Sequence, residues 1–259
     1  MEKCENYNHE AIPDEVLLLT AGVDTQKDRL EVQVIGWGDN FEAWVVEYKI
    51  IWGNPATKEP WQELDNYLKY KFDKQNGKKL FIAATCIDSG GHHTEMVYDY
   101  TRARNARRIF SIKGQSIAGK PIIGKASWVG KKRVALYPVG SDTAKEWIHA
   151  RLKEDSNLIH FPNTIDEEYF KQLTAEKRIP KIHRGKKTLV WKQTRERNEA
   201  LDTFVYSLAA AHVLQTNLKK LRLEPSPNKE KKKENNNNSY YNRRLMRRNP
   251  RNFVTSWSD

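Results

Sequence analysis

The 259-residue sequence predicts an α/β protein built around a mixed sheet. Val16-Leu-Leu-Leu-Thr-Ala-Gly-Val-Asp24 is a nearly continuous apolar run, as a central strand buried on both faces requires. Two further strand patterns follow it on short connections, which implies an antiparallel meander. Strand, helix and strand then alternate, and that order calls for parallel pairing.

Taken in order, residues 1–15 are polar, carry Pro13 and read as a lead-in. Arg29–Gly38 alternates apolar residues at Leu30, Val32 and Val34, the period of a strand with one solvated face. Asp39-Asn40 makes a turn, and Phe41–Trp52 returns as the third strand. After Pro60, residues Trp61, Leu64, Tyr67, Leu68 and Phe72 recur at helical spacing until Asn76-Gly77. Leu80–Asp88 is a second apolar strand ending in an acid, with Cys86 as a small core residue. A helix over 94–104 and a parallel strand over Arg108–Lys113 come next.

Between Gly114 and Gly140, Pro121-Ile-Ile and Arg133-Val-Ala-Leu-Tyr137 flank Gly130-Lys-Lys and predict an inserted basic β-hairpin. Ser141–Leu152 reads as a capped helix, Leu158–Phe161 as a short strand, Tyr169–Lys177 as a helix and Thr188–Trp191 as a strand. The last helix, Asn198 to about Leu214, has Ala200, Leu201, Phe204, Val205, Leu208, Ala209 and Val213 as its buried stripe. Pro225-Ser-Pro, the Lys/Glu run at 229–234 and Asn235–Asn238 cannot bury enough apolar area to offset chain entropy. The expected organisation is a lead-in at 1–15, one folded domain at 16–218 and a disordered basic tail at 219–259, ending in Phe253 and Trp257.

Charge follows that division. The tail holds 12 Lys/Arg against 4 Asp/Glu, so +8 of the net +12 belongs to it and the body is only mildly basic. No run approaches the roughly 18–20 apolar residues of a membrane span, and Met1-Glu-Lys-Cys-Glu lacks the start of a secretory leader. The expectation is a soluble protein that is neither secreted nor membrane-bound. Cys4 and Cys86 form no CxxC pair, which excludes a zinc knuckle or a disulfide framework.

The chemistry concentrates in acids. Asp24 and Asp88 each end an apolar strand, and Asp202 sits beside the stripe of the last helix. If the first and fourth strands are neighbours, Asp24 and Asp88 meet at one sheet edge. Convergent carboxylates repel, and hard divalent cations relieve that repulsion while neutralising a phosphate. Two Mg²⁺ or Mn²⁺ ions held by Asp24, Asp88 and Asp202 would suit phosphodiester hydrolysis. Singly, Asp24 and Asp88 can also be read as turn or cap residues, and Asp202 as a surface acid paired with Arg195 or Lys192; the strand, strand, helix order is what groups them. Asp142 is a helix cap or a further ligand. Glu199 and Asn198 either support a metal from behind or stabilise the helix start. His92 and His93 are loop histidines beside Gly90-Gly91, where a backbone could approach a phosphate. Lys113, Lys120, Lys125, Lys131, Lys132 and Arg133 offer a duplex a salt-dependent surface, or are solvated loop charge.

Thr20-Ala-Gly-Val-Asp24-Thr-Gln, Ile35-Gly-Trp-Gly38, Asp88-Ser-Gly-Gly91, Ile112-Lys-Gly114, Gly140-Ser-Asp-Thr-Ala-Lys145, His160-Phe-Pro162, Gln172-Leu-Thr-Ala-Glu176 and Arg197-Asn-Glu-Ala-Leu-Asp202 occur in order over about residues 15–215. Together they resemble the C-terminal nuclease domain of the large terminase subunit of lambda-like tailed phages. The resemblance implies an RNase H-like fold and a two-metal site, with Asp24, Asp88 and Asp202 as ligands, that cuts concatemeric viral DNA. It also implies the portal protein and a small terminase subunit as partners, and the cytoplasm of an infected bacterial host as the place of action. No GxxxxGK[ST] phosphate loop is present, so an excised domain or a split or truncated gene product is expected, cutting DNA without hydrolysing ATP. Other RNase H-like nucleases, such as resolvases and transposases, share this acid order, and a noncatalytic DNA- or portal-binding module is the reading from another class.

Overall fold

A computed structural model describes residues 4–91, 93–131, 133–153, 157–183, 186–214 and 218. The chain divides into two units, 1–223 and 224–259, and every described residue belongs to the first. The basic tail at 219–259 lies outside the described residues, as do His92 and Lys132.

The elements run β1 (Cys4–Glu5), β2 (Leu18–Thr25), β3 (Arg29–Trp37), β4 (Ala43–Trp52), α1 (Glu59–Tyr67), β5 (Lys71–Asp73) and β6 (Lys79–Asp88). They continue through α2 (Thr94–Arg102), β7 (Ile109–Gln115), β8 (Ser127–Val129), β9 (Val134–Gly140) and α3 (Ser141–Arg151). Then come β10 (Ile159–Pro162), α4 (Glu167–Leu173), β11 (Glu176–His183), β12 (Lys186–Gln193) and α5 (Glu199–Leu214).

The main sheet has the order β1-β10-β4-β3-β2-β6-β7-β9-β8, with β5 added on β6. β2, β3 and β4 form the antiparallel meander, while β6 runs parallel to β2, β7 to β6 and β9 to β7. Its centre, β4-β3-β2-β6-β7, is therefore the order third-second-first-fourth-fifth with only the second strand reversed, which is the RNase H-like arrangement. Helices α3, α4 and α5 cover one face around Trp37, Phe161 and Phe204. Helices α1 and α2 cover the other, with Trp61 and Leu64 against Val23, Val32 and Tyr100. Each such fully buried side chain contributes roughly 1.5–3 kcal/mol relative to exposure.

Gly22 fixes how α5 lies on the sheet. A Cβ there would stand 1.9 Å from the Thr203 carbonyl oxygen and 2.6 Å from the Ser207 nitrogen, so only glycine lets helix backbone rest on strand backbone. Thr20 and Ser207 hydroxyls, 2.8 Å apart, continue the same seam.

The structure amends several sequence expectations. Residues 4–16 belong to the fold, because β1 pairs with β10 and both Tyr7 and Ile12 are buried. Strand β3 has no solvated face: Glu31 and Gln33 lie beneath α5, hydrogen-bonded to Arg29, Arg197 and Tyr48 and to Thr203 and Tyr169. Phe72 leaves the helix stripe for β5, whose partner is β6. The basic hairpin exists as β8–β9, but β9 also pairs with β7, so it forms the sheet's edge rather than an insertion. The helix expected over Tyr169–Lys177 stops at Leu173, and Glu176 instead opens a separate two-stranded ribbon, β11–β12.

Candidate active site

Because β2 and β6 are parallel neighbours with Val23 opposite Ile87, both strands deliver their terminal acids to the same sheet edge. Helix α5, seated on Gly22, brings Asp202 to that edge from above. Asp24, Asp88 and Asp202 line one cleft of about 770 Å³, with Gly90, Lys113, Ser141, Lys145, Asn198 and Tyr206 among its walls.

The acids are held by short-range partners. Gln26 Nε2 donates to Asp24 Oδ2 at 2.5 Å. Asn198 Nδ2 donates to Asp202 Oδ2 and to Glu176 Oε1, both at 2.9 Å. Lys145 Nζ lies 2.6 Å from Glu176 Oε1 and 3.3 Å from Asp202 Oδ1. The backbone N–H groups of Ser89 and Gly90 face the Asp88 carboxylate, and a Cβ on Gly90 would crowd its oxygen at 3.2 Å.

The electrostatics are those of crowded acids. Burial, then the charges of Asp202 and Asp88, hold the Asp24 carboxyl well above its ordinary range. Burial, with Asp202 adding to it, pushes Asp88 up to about 6 against the pull of the loop N–H groups and Lys113. Asp202 is raised by burial despite Lys145, and Glu176 raises it further. Burial opposes charge on Lys145, but Asp202 and Glu176 outweigh it and hold the ammonium above its usual range. Burial and the three aspartates keep the Tyr206 phenol protonated.

The donor set, carboxylate oxygens only, fits a hard divalent cation. The set is open rather than a closed cage: among the described residues, no three His, Cys, Asp or Glu side chains stand together as a ready-made ligand group.

Of the other candidates, Asn198 and Lys113 reach the cleft. Glu199 turns away, 2.8 Å from an Arg29 guanidinium nitrogen and 3.3 Å from Arg197 Nε, and so belongs to a buried ion-pair lattice. Asp142 is neither a cleft wall nor a cap, since Gly140 occupies the cap position; its charged surroundings are Lys145, Glu146, Glu176 and Arg178. Asp202 meets Lys145 and Asn198 rather than Arg195 or Lys192.

Lys120 and Lys125 are exposed near the end of β9 that feeds α3, where Thr143 Oγ1 donates to the Lys120 carbonyl and the Gly124 N–H to Pro138. Lys131 and Arg133 precede β9 and sit at its opposite end, about 20 Å away for a seven-residue strand. Arg133 stacks there on the exposed ring of Trp128.

Gln26, Lys145 and Glu176 are site residues that no sequence pattern singles out. All three stand inside the motifs quoted above, but only the tertiary contact of α3, β11 and α5 makes a buried lysine and glutamate part of the site.

Fold and site together define the class: an RNase H-like domain with an acidic cleft at the edge of its first and fourth core strands. The chain belongs to the family described as terminase large subunit gpA, endonuclease domain, whose model matches residues 1–223. It is 36% identical over 222 residues to the terminase large subunit of Escherichia phage lambda, covering 82% of this chain and 34% of that protein. Identity to the terminase large subunit of Enterobacteria phage P21 is 37% over 226 residues, covering 82% and 35%. The chain thus spans about a third of the length of the curated relatives it matches. Among solved structures, a yeast mitochondrial Holliday junction resolvase overlaps 82% of this chain and 87% of its own at TM-score 0.35 and 9% identity. The fold assignment rests on the strand order. Among the described residues, no helix is long and apolar enough to cross a membrane.

Proposed function

We propose that this chain is the DNA-cutting part of a phage packaging terminase, hydrolysing phosphodiester bonds of concatemeric double-stranded DNA with two Mg²⁺ or Mn²⁺ ions. One observation carries the reading: Asp24, Asp88 and Asp202, from two strands and a helix, line a single cleft, where the charge of Asp202 raises the proton affinity of both Asp24 and Asp88. Those three would hold the ions, which when bound would neutralise phosphate charge and acidify a water.

The chain's own residues prepare that site. Gln26 orients Asp24, Asn198 and Lys145 orient Asp202, and the Ser89 and Gly90 N–H groups orient Asp88. Lys113, exposed on the cleft wall, would meet the phosphate backbone, with Lys120 and Lys125 extending that contact along the same end of the sheet. Lys131 and Arg133 would meet a duplex only beyond the cleft. Family membership makes the portal protein and a small terminase subunit the proposed partners, and the host cytoplasm the proposed place of action.

The test is nicking of supercoiled plasmid by the purified chain. Mn²⁺ or Mg²⁺ should give open circles, and EDTA or Asp24→Asn should give none. Undiminished nicking by Asp24→Asn would overturn the assignment, and a preference for four-way junctions or strand transfer would move it to a resolvase or transposase.

A further inference from the structure

Among the described residues, strands β11 and β12 pair only with each other, in an eight-pair ladder from Glu176–Gln193 to His183–Lys186. At ~3.4 Å per residue this ribbon is about 27 Å long. Its root backs onto the cleft wall: Glu176 accepts from Lys145 and Asn198, Thr194 bonds back to the Ala175 carbonyl, and the chain then enters α5, which carries Asp202.

Strand alternation divides the side chains between two faces. Near the root, one face docks on α3, with Trp191 against the His149 ring and Arg178 paired to Glu146 at 3.1 Å. The opposite face presents Lys177, Lys181 and Lys192, all exposed. Lys177 and Lys192 are direct cross-strand partners, an arrangement of like charges that costs stability in a ladder. Glu176, buried at the root, is the ribbon's one acid. Among the described residues, Lys177, Lys181, Lys187 and Lys192 have no ion-pair partner within 4 Å. At the far half of the ribbon, Ile182 and Leu189 are 73% and 48% exposed beside Lys187. A ladder that keeps such charges together, with nothing of its own to neutralise them, is complementary to a polyanion.

We infer that the β11–β12 ribbon is a duplex-DNA-binding arm that lies along the phosphate backbone and holds the duplex across the acidic cleft at its root. The inference rests on the nuclease reading for the identity of the polyanion. Lysines are point charges without the planar fork that pairs with a base edge, so the arm positions DNA without reading its sequence.

The experiment measures binding of a 30-base-pair duplex in EDTA, by fluorescence anisotropy at several salt concentrations, for the wild type and a Lys181→Ala/Lys192→Ala double variant, both lysines being on the same face of the ribbon. Neither residue touches the cleft, and the melting temperature of each protein is recorded. The variant should bind on the order of tenfold more weakly, with its log–log salt slope reduced by about 1.8. Lys181→Arg/Lys192→Arg should restore both. In Mn²⁺ it should need more DNA for half-maximal cutting while keeping the saturated rate. Unchanged affinity and slope in a folded variant would overturn the arm and leave the ribbon to an acidic protein surface. Because binding is read without metal, a wild type that binds through the ribbon but never cuts would sink the nuclease reading while leaving the arm intact.

Discussion

Two ranks of carboxylates lie side by side beneath α5, and they are treated in opposite ways. Asp24 and Glu31 face one another across the β2–β3 ladder, and Asp202 and Glu199 are one turn apart on the helix. In the Glu31–Glu199 rank, two carboxylates meet two guanidiniums: Arg29 reaches both acids at 2.5 and 2.8 Å, and Arg197 reaches both at 2.9 and 3.3 Å, while the Tyr48 hydroxyl completes Glu31. In the Asp24–Asp202 rank, joined by Asp88 and Glu176, four carboxylates share Lys145 and the more distant Lys113. Burial alone therefore does not separate scaffold from site, since Glu31 is fully buried and Asp24 nearly so. The separation is made by whether the fold supplies enough positive charge to match the acids it buries.

The sharpest way to break this comparison is to neutralise one acid in each rank on the same helix. Asp202→Asn should lower plasmid nicking on the order of 10³-fold, about 4 kcal/mol of barrier, because it removes a proposed cation ligand. Its urea midpoint should stay level or rise, since a crowded charge has gone. Glu199→Gln, one turn away, should do the reverse. It leaves Arg29 and Arg197 to share the single charge of Glu31 and should cost about 3 kcal/mol of stability by urea unfolding, while cutting per folded molecule stays within a few-fold of wild type. If both variants lost stability equally and kept their cutting, the two ranks would be one structural lattice.

Divalent cation should also distinguish the ranks. Adding Mn²⁺ at about 100 times its dissociation constant should stabilise the wild-type chain by roughly 2.7 kcal/mol, since only the folded state gathers the acids. Scanning calorimetry in EDTA and in Mn²⁺ measures this. Asp88→Asn should lose most of the gain and Glu31→Gln should keep it, though from a lower starting stability.

Much of this is legible in the residues alone. Apolar runs closed by Asp24 and Asp88 announce strands whose ends carry chemistry, and the meander followed by strand–helix–strand units places those strands together. What stayed hidden are contacts between elements distant in sequence. Glu31 and Gln33 alternate with valines just as a solvated face would, and only the helix laid over them, 170 residues downstream, turns that face into a polar interior. Glu199 has the spacing of a supporting acid, yet Arg29 claims it. Glu176 ends the motif Gln172-Leu-Thr-Ala-Glu176 and could have continued a helix; its value as an anchor for Lys145 exists only after β11 turns away from α4.

Asp65 extends the comparison to a third setting and to the smallest expected effect. It lies on α1, on the opposite face of the sheet from α5, with Lys69 and Arg104 at 2.6 Å and Arg107 at 2.5 Å, and so ties α1 to the end of α2. Burial would raise its carboxyl, but the three cations outweigh burial and hold it well below the usual range. The unfolded chain, with an ordinary carboxyl near ~3.9, takes up the proton first as pH falls. The stability Asp65 contributes is therefore complete above that value and drains away as pH drops toward the folded-state pKa. Because Lys69, Arg104 and Arg107 are themselves partly exposed, the contribution is screened and should be about 1 kcal/mol, smaller still in high salt. Urea midpoints of wild type and Asp65→Asn should differ at pH 7, begin to converge below about pH 4 and meet only as pH approaches the folded-state pKa. Parallel curves over that whole range would show that three cations around a surface acid contribute nothing through charge, and that over-compensation outside the interior has no energetic consequence here.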